Sequence, residues 1–191
     1  MRRRFMWVAA GLFAAFFLSA RPGTAGAQGF GIYEHGACAM GRAGAAVASP
    51  CADGSAMFFN PAGLAGIDRQ SISGGATLIA PSGGFTNDFS GIRTDLNDRV
   101  YPVPTLFYQR PLNERWAVGL GFFAPYGLET DWPEDFEGRF LGYQSMIQSF
   151  YIQPTAAVKI LDQVSVGAGL DVTYMRVNLK QHLDLAEAPT T

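Results

Sequence analysis

The residues of this chain that could do covalent chemistry are few and poorly spaced for it. His35 and His182 have no Ser or Cys partner at a recognised motif spacing. The glycine pairs Gly119/Gly121 and Gly167/Gly169 fall inside strand-like segments rather than at the strand-to-helix turn a phosphate loop needs. Glu129, Asp131, Glu134, Asp135 and Glu137 carry enough charge for a divalent cation, but the same run suits a solvated loop. His35 is too little, even beside Cys38 and Cys51, to make a zinc site. The expectation is a protein that is not an enzyme and takes no metal or cofactor. What stands out instead is Gly41-Arg42-Ala43-Gly44, an Ala-rich link, and then Phe58-Phe59-Asn60-Pro61-Ala62-Gly63-Leu64. Asn60-Pro61 is turn chemistry in its own right, since both residue types favour turns.

The segment ahead of these motifs reads as an export signal. Arg2, Arg3 and Arg4 precede an apolar run over residues 5–20, and Ala25-Gly26-Ala27 fits a small-residue cleavage site. The apolar run falls short of the ~20 residues a membrane-spanning helix needs, and no longer one follows. If the mature chain enters a membrane, it enters as strands. Residues 1–27 hold four of the 14 Lys and Arg and none of the 16 Asp and Glu, so the mature net charge moves from −2 to −6. That balance argues against nucleic acid as a partner. Export also places Cys38 and Cys51 in an oxidising compartment, where a disulfide is compatible with the pair; two buried thiols are the alternative.

Period-two alternation supplies the elements. Trp116, Val118, Leu120 and Phe122 alternate with Ala117, Gly119, Gly121 and Phe123 across a segment over residues 116–128, whose even face continues to Tyr126 and Leu128. Residues 149–160 and 164–174 repeat the pattern, with the even face apolar and the odd face polar or small. Residues 71–80 and 103–110 are weaker candidates, with Ile72, Ala76, Leu78, Leu106 and Tyr108 outward. A barrel wall demands this alternation because successive side chains face lipid and lumen in turn. A soluble β-sandwich alternates too, and the export signal weighs against it. Connections alternate in length: 112–115 and 161–163 are tight, whereas 81–101 and 129–145 are long and polar. Short inner turns and long outer loops are the pattern of outer-membrane barrels. Within the third segment, Pro125 lacks a ladder N–H and Gly127 adds backbone freedom, so the sheet is expected to be interrupted there.

The plug-like opening resembles that of the FadL-type outer-membrane transporters of long-chain fatty acids and other hydrophobic compounds. The match is carried by Gly29-Phe30, Gly41-Arg42-Ala43, Asn60-Pro61-Ala62-Gly63-Leu64 and, in the third strand, Tyr126-Gly127-Leu128. The resemblance implies an all-β fold: a transmembrane antiparallel β-barrel of 14 strands with a small N-terminal plug, in the Gram-negative outer membrane. It divides the chain into a signal peptide (residues 1–27), a plug (28–68) and the first five strands with their external loops (69–191). It also implies a lateral opening at a kinked third strand around Pro125 and Gly127, with Asn60, Pro61 and Ala62 beside it and Phe30 close to an apolar ligand pocket.

Five strands cannot enclose a lumen, so the chain is read as the N-terminal part of a longer protein that is monomeric when complete. The function this implies is passive transport of a hydrophobic small molecule into outer-membrane lipid. A structural or adhesive barrel without transport, and an outer-membrane lipid hydrolase, are the rival readings.

Overall fold

The computed structural model describes residues 31–184. The expected signal peptide (1–27), Phe30 and residues 185–191 lie outside them. Five wall strands form one antiparallel meander. The first is β1 (Ser71–Ile79). A small hairpin, β2 (Gly84–Thr86) and β3 (Arg93–Asp95), stands apart in the loop before the second wall strand, β4 (Tyr101–Pro111). The third is split into β5 (Trp116–Phe123) and β6 (Gly127–Asp131), and the fourth is β7 (Gln144–Leu161). The fifth is split into β8 (Val164–Gly169) and β9 (Val172–Lys180). β1 pairs with β4, β4 with β5, both halves of the third strand with β7, and β7 with β8 and β9. Among the described residues no helix is long and apolar enough to cross a membrane.

The wall shows the expected two faces. Ile72, Leu106, Trp116, Leu120, Ile152, Val166 and Tyr174 are exposed on one side, while Phe107, Ala117, Phe123, Thr155 and Ala157 are buried on the other. The strands run further than alternation alone marks. β7 begins at Gln144 rather than 149, and its 18 residues reach ~60 Å at ~3.4 Å per residue, well beyond a bilayer core. Its upper part carries Gln144, Ser145 and Gln148, where no lipid demands an apolar face, yet β6 and β9 still complete its ladder. The same reason extends β9 to Lys180. The two splits have different causes. Residues 155 and 152 of β7 meet 169 and 172 in one register, and Leu170 N donates to the Pro154 carbonyl at 3.1 Å. The fifth strand therefore loses only the donor that Pro154 lacks. In the third strand the register itself shifts.

The long polar stretch 81–101 also holds more order than expected. Phe85 on the hairpin meets Phe136 edge-on, with ring centroids 5.3 Å apart, and Ser90 Oγ donates to Glu137 Oε2 at 2.7 Å. The acidic run is thus divided: Glu137 takes Ser90, and Asp131 takes Arg99 and Asn97.

Residues 31–68 fold against the inner face. They carry α1 (Ala37–Gly41), α2 (Ala56–Phe59) and a 3₁₀ helix (Pro61–Gly66). Met57, Leu64 and Ala65 pack on Phe107, Ala117, Phe123 and Ala157 to form the main core. Small wall residues make this approach possible. A Cβ on Gly119 would stand 2.6 Å from the Met57 sulfur, and one on Gly167 would meet the backbone of Pro61 and Ala62. These odd-face glycines therefore seat the plug. Toward β1 and β4 polar bonds are added: Ser73 Oγ donates to the Asp53 carbonyl, Thr77 Oγ1 to Glu34 O at 2.8 Å, and Gln109 Nε2 to Ala52 O at 2.9 Å. Cys38 and Cys51 are joined as a disulfide, Cα–Cα 6.1 Å, over a small cluster with Ala39, Ala46 and Phe59.

Candidate functional site in the wall

Phe123 lies opposite Tyr151, yet Gly127 lies opposite Gln148. Three residues, Ala124 to Tyr126, therefore span what two residues span on β7, and the third strand bulges. One extra residue moves every later side chain to the other face. Leu128 consequently sits opposite Ile147, on the inward-facing parity of β7, and not on the lipid face that simple alternation gave it. The bulge is held by Ser149, 1% exposed: its N–H and hydroxyl both donate to the Tyr126 carbonyl, at 3.1 and 2.8 Å, and its Oγ accepts from Tyr126 N at 3.1 Å. Ser149 was expected only as the start of a strand. A lone serine on an odd face gives no signal that it replaces ladder bonds.

The other edge of the broken strand faces β4. There the ladder runs from Pro111↔Ala117 up to Leu106↔Phe122 and stops. Above that point no ladder joins β4 to β6 among the described residues. The plug enters the space: Gly31 bridges to Tyr126, and Ile32 N donates to the Pro125 carbonyl at 2.8 Å. Ile32 is buried with Val103 and Ala124, flanked by Ile79 and Phe150. Around it lies an apolar cavity of about 160 Å³, lined by Ile32, Pro102, Val103, Leu128, Ile147 and Phe150 among others. Val103 and Ile147 belong to the inward parity of their strands, and Pro102 and Phe150 to the outward parity, so the cavity crosses the wall. A shallow apolar groove of Phe122, Phe150, Ile152, Val172 and Tyr174 adjoins it on the lipid face. Phe122 and Phe150 stack there with centroids 5.9 Å apart. Above the cavity Asp131 closes the frame, binding Arg99 Nε at 2.8 Å and Asn97 Nδ2 at 2.9 Å, while its carbonyl accepts from Asn97 N.

The remaining expected residues are placed as follows. Pro125 lies within the bulge and Gly127 just after it, where a Cβ would stand 2.9 Å from Ile32 Cδ1. Asn60 Oδ1 accepts from Ala62 N at 3.2 Å, opening the 3₁₀ helix, and its Nδ2 donates to Val47 O at 2.9 Å. Pro61 and Ala62 pack against Gly167 on the fifth strand. None of these three lines the cavity, where the plug residue is Ile32. The 3₁₀ helix that Asn60 opens packs on β8, β7 and the lower half of the third strand, β5. His35, fully buried, lies between Phe58 and Phe123 with centroids 4.4 and 5.4 Å away. Burial lowers its pKa to about 4, outweighing the Ile32 backbone and the Glu34 carboxylate, which act the other way.

A meandering antiparallel sheet with an apolar outer face, an inner plug and a breach crossing the sheet defines a section of transmembrane β-barrel wall. The chain belongs to the family of outer membrane transport proteins described as OMPP1/FadL/TodX, whose model matches residues 18–191. It is 25% identical over 156 residues to the long-chain fatty acid transport protein of Salmonella typhi, covering 80% of this chain and 36% of that protein. It is 32% identical over 120 residues to a 47 kDa outer membrane protein of Pasteurella multocida, covering 63% and 28%. Among solved structures, a Pseudomonas aeruginosa FadL homologue superposes with a TM-score of 0.66 at 26% identity, over 83% of this chain and 40% of that one. The chain thus spans little more than a third of the length of the first relatives it matches.

Proposed function

We propose that the complete protein carries hydrophobic molecules, such as long-chain fatty acids or hydrocarbons, passively across the outer membrane and releases them sideways through the breach between the second and third strands. The observation that carries this reading is a cavity drawing its lining from both faces of the wall, with the plug residue Ile32 seated in it. An apolar ligand gains about 0.8 kcal/mol per CH₂ by staying out of water. Passage from the lumen through an apolar breach to lipid keeps each methylene covered, so no energy source is required. The plug must move for the ligand to pass. Among the described residues the plug meets the breach through the Gly31–Tyr126 bridge, the Ile32–Pro125 hydrogen bond and the Ile32 side chain, whereas Pro61 and Ala62 pack against Gly167 of the fifth strand. Phe30, next to Gly31 in sequence, is the candidate to meet ligand from inside. The transporter acts as a monomer, its partners being the ligand and outer-membrane lipid.

Ala124→Trp, filling the cavity in the complete barrel, tests the reading. Uptake of a labelled fatty acid or aromatic hydrocarbon should fall at least about tenfold, equivalent to ~1.4 kcal/mol on the limiting step, with barrel assembly unchanged. Undiminished uptake of both ligands by an assembled variant would place the exit elsewhere.

A further inference from the structure

We infer that Pro102 and Pro104 are positioning residues that hold the breach open, by denying the second strand the donors with which it would zip onto the third. This rests on the lateral-exit reading for its functional meaning, but its structural content stands apart. In an antiparallel strand, alternate residues turn both N–H and C=O to the same neighbour. A Cβ on Gly119 would lie 3.1 Å from the Tyr108 carbonyl, and one on Gly74 would lie 3.5 Å from the Thr105 carbonyl. Even residues of β4 therefore face β5, and odd ones face β1. Pro102 and Pro104 share the parity of Tyr108, so each lacks an N–H on the side of the breach. Toward β1 the strand remains fully paired, from Ser71↔Gln109 to Ile79↔Tyr101.

Extending the Leu106↔Phe122 register upward would set Pro104 opposite Ala124; beyond the bulge Tyr126 turns its N–H and carbonyl to Ser149 of β7, so Gly127 is the residue whose backbone faces Pro102. Both prolines line the cavity. Across it Pro125 also lacks a donor, and its carbonyl is taken by Ile32 N. An edge without N–H groups leaves no donor unsatisfied when lipid or ligand lies against it, where each bare N–H would add several kcal/mol to the cost of the carbonyls that remain. The Leu106↔Phe122 pair below and the Asp131 bonds to Arg99 and Asn97 above fix the height of the window.

The test is Pro102→Thr/Pro104→Thr in the complete barrel, read by hydrogen exchange over residues 127–131 and by ligand uptake. Threonine favours strands and restores the donors. Exchange should slow about fivefold or more, the effect of hydrogen bonds worth ~1 kcal/mol each, and uptake should fall. Pro104→Thr alone is the milder variant if the double change impairs assembly. Pro154→Thr, which restores a wall donor remote from the breach, should leave uptake unchanged. Exchange as fast as in the parent, in an assembled barrel, overturns the inference whatever uptake does. Slowed exchange with full uptake sustains the proline role and overturns lateral exit.

Discussion

At the scale of single residues, the plug is organised by side chains that stand in for backbone. Asn60 opens the 3₁₀ helix with one side-chain atom and holds the Val47 carbonyl with the other, and Ser149 supplies the bonds the bulge removes. His35 instead contributes as a buried ring between Phe58 and Phe123. Its pKa is about 4 in the folded state against 6.5 when exposed, so only the unfolded segment takes up a proton between those values. Stability is therefore full above about pH 6.5, falls as pH drops toward 4, and levels below that, with a total effect of about 3 kcal/mol. Protease protection of residues 31–68 should weaken over this window, and His35→Phe should flatten the profile. A parent profile flat from pH 7 to 4 would show that the ring is not held neutral by burial.

At the scale of elements, residues 31–68 are attached to the wall in two ways. Polar bonds tie them to β1 and β4, and close apolar packing ties them to β4, β5, β7 and β8. The disulfide between Cys38 and Cys51 closes a short loop and holds that part of the plug together, at about 3 kcal/mol for a loop of this size. Gly167 is the tightest point of the apolar side. Gly167→Val should lift the 3₁₀ helix off the wall, an overpacking cost of about 1–3 kcal/mol, seen as faster proteolysis within residues 31–68 and a raised single-channel leak. Gly41→Ala, where a Cβ meets nothing within 4 Å, should change neither. If Gly167→Val also leaves both unchanged, the plug base is not what seals that side.

At the scale of the whole molecule, the exposed apolar face is the side meant for lipid. Trp116 stands on it next to the tight turn after β4, and is 48% exposed. In bilayers, lipids with brominated acyl chains should quench Trp116 strongly in a variant that keeps it as the sole tryptophan, and aqueous acrylamide should quench it weakly. The reverse order would turn the sheet inside out. On the inner face, Met57, Leu64 and Ala65 cover the apolar patch of Phe107, Ala117, Phe123 and Ala157.

The sequence by itself determined the parts whose causes are local. Alternation gave five strands and their outer face, because a pleated wall between lipid and lumen allows no other period. Pro125 announced the break, because a missing donor is written in the residue type. The motifs within residues 41–64 pointed to the outer-membrane transport family to which the chain belongs. Only the tertiary structure decided the rest, because it depends on which edges meet. The hairpin within residues 81–101 and the upper reach of β7 lie where no lipid imposes a pattern, so their composition carries no period. The bulge is a difference between two strands' counts, visible only once β6 and β7 are in register, and it alone turns Leu128 inward. That Gly119 lies against Met57 and Gly167 against Pro61 and Ala62, that Ile32 sits in the breach, and that Pro102 and Pro104 line the same cavity all follow from long-range packing, which no single segment of chain encodes.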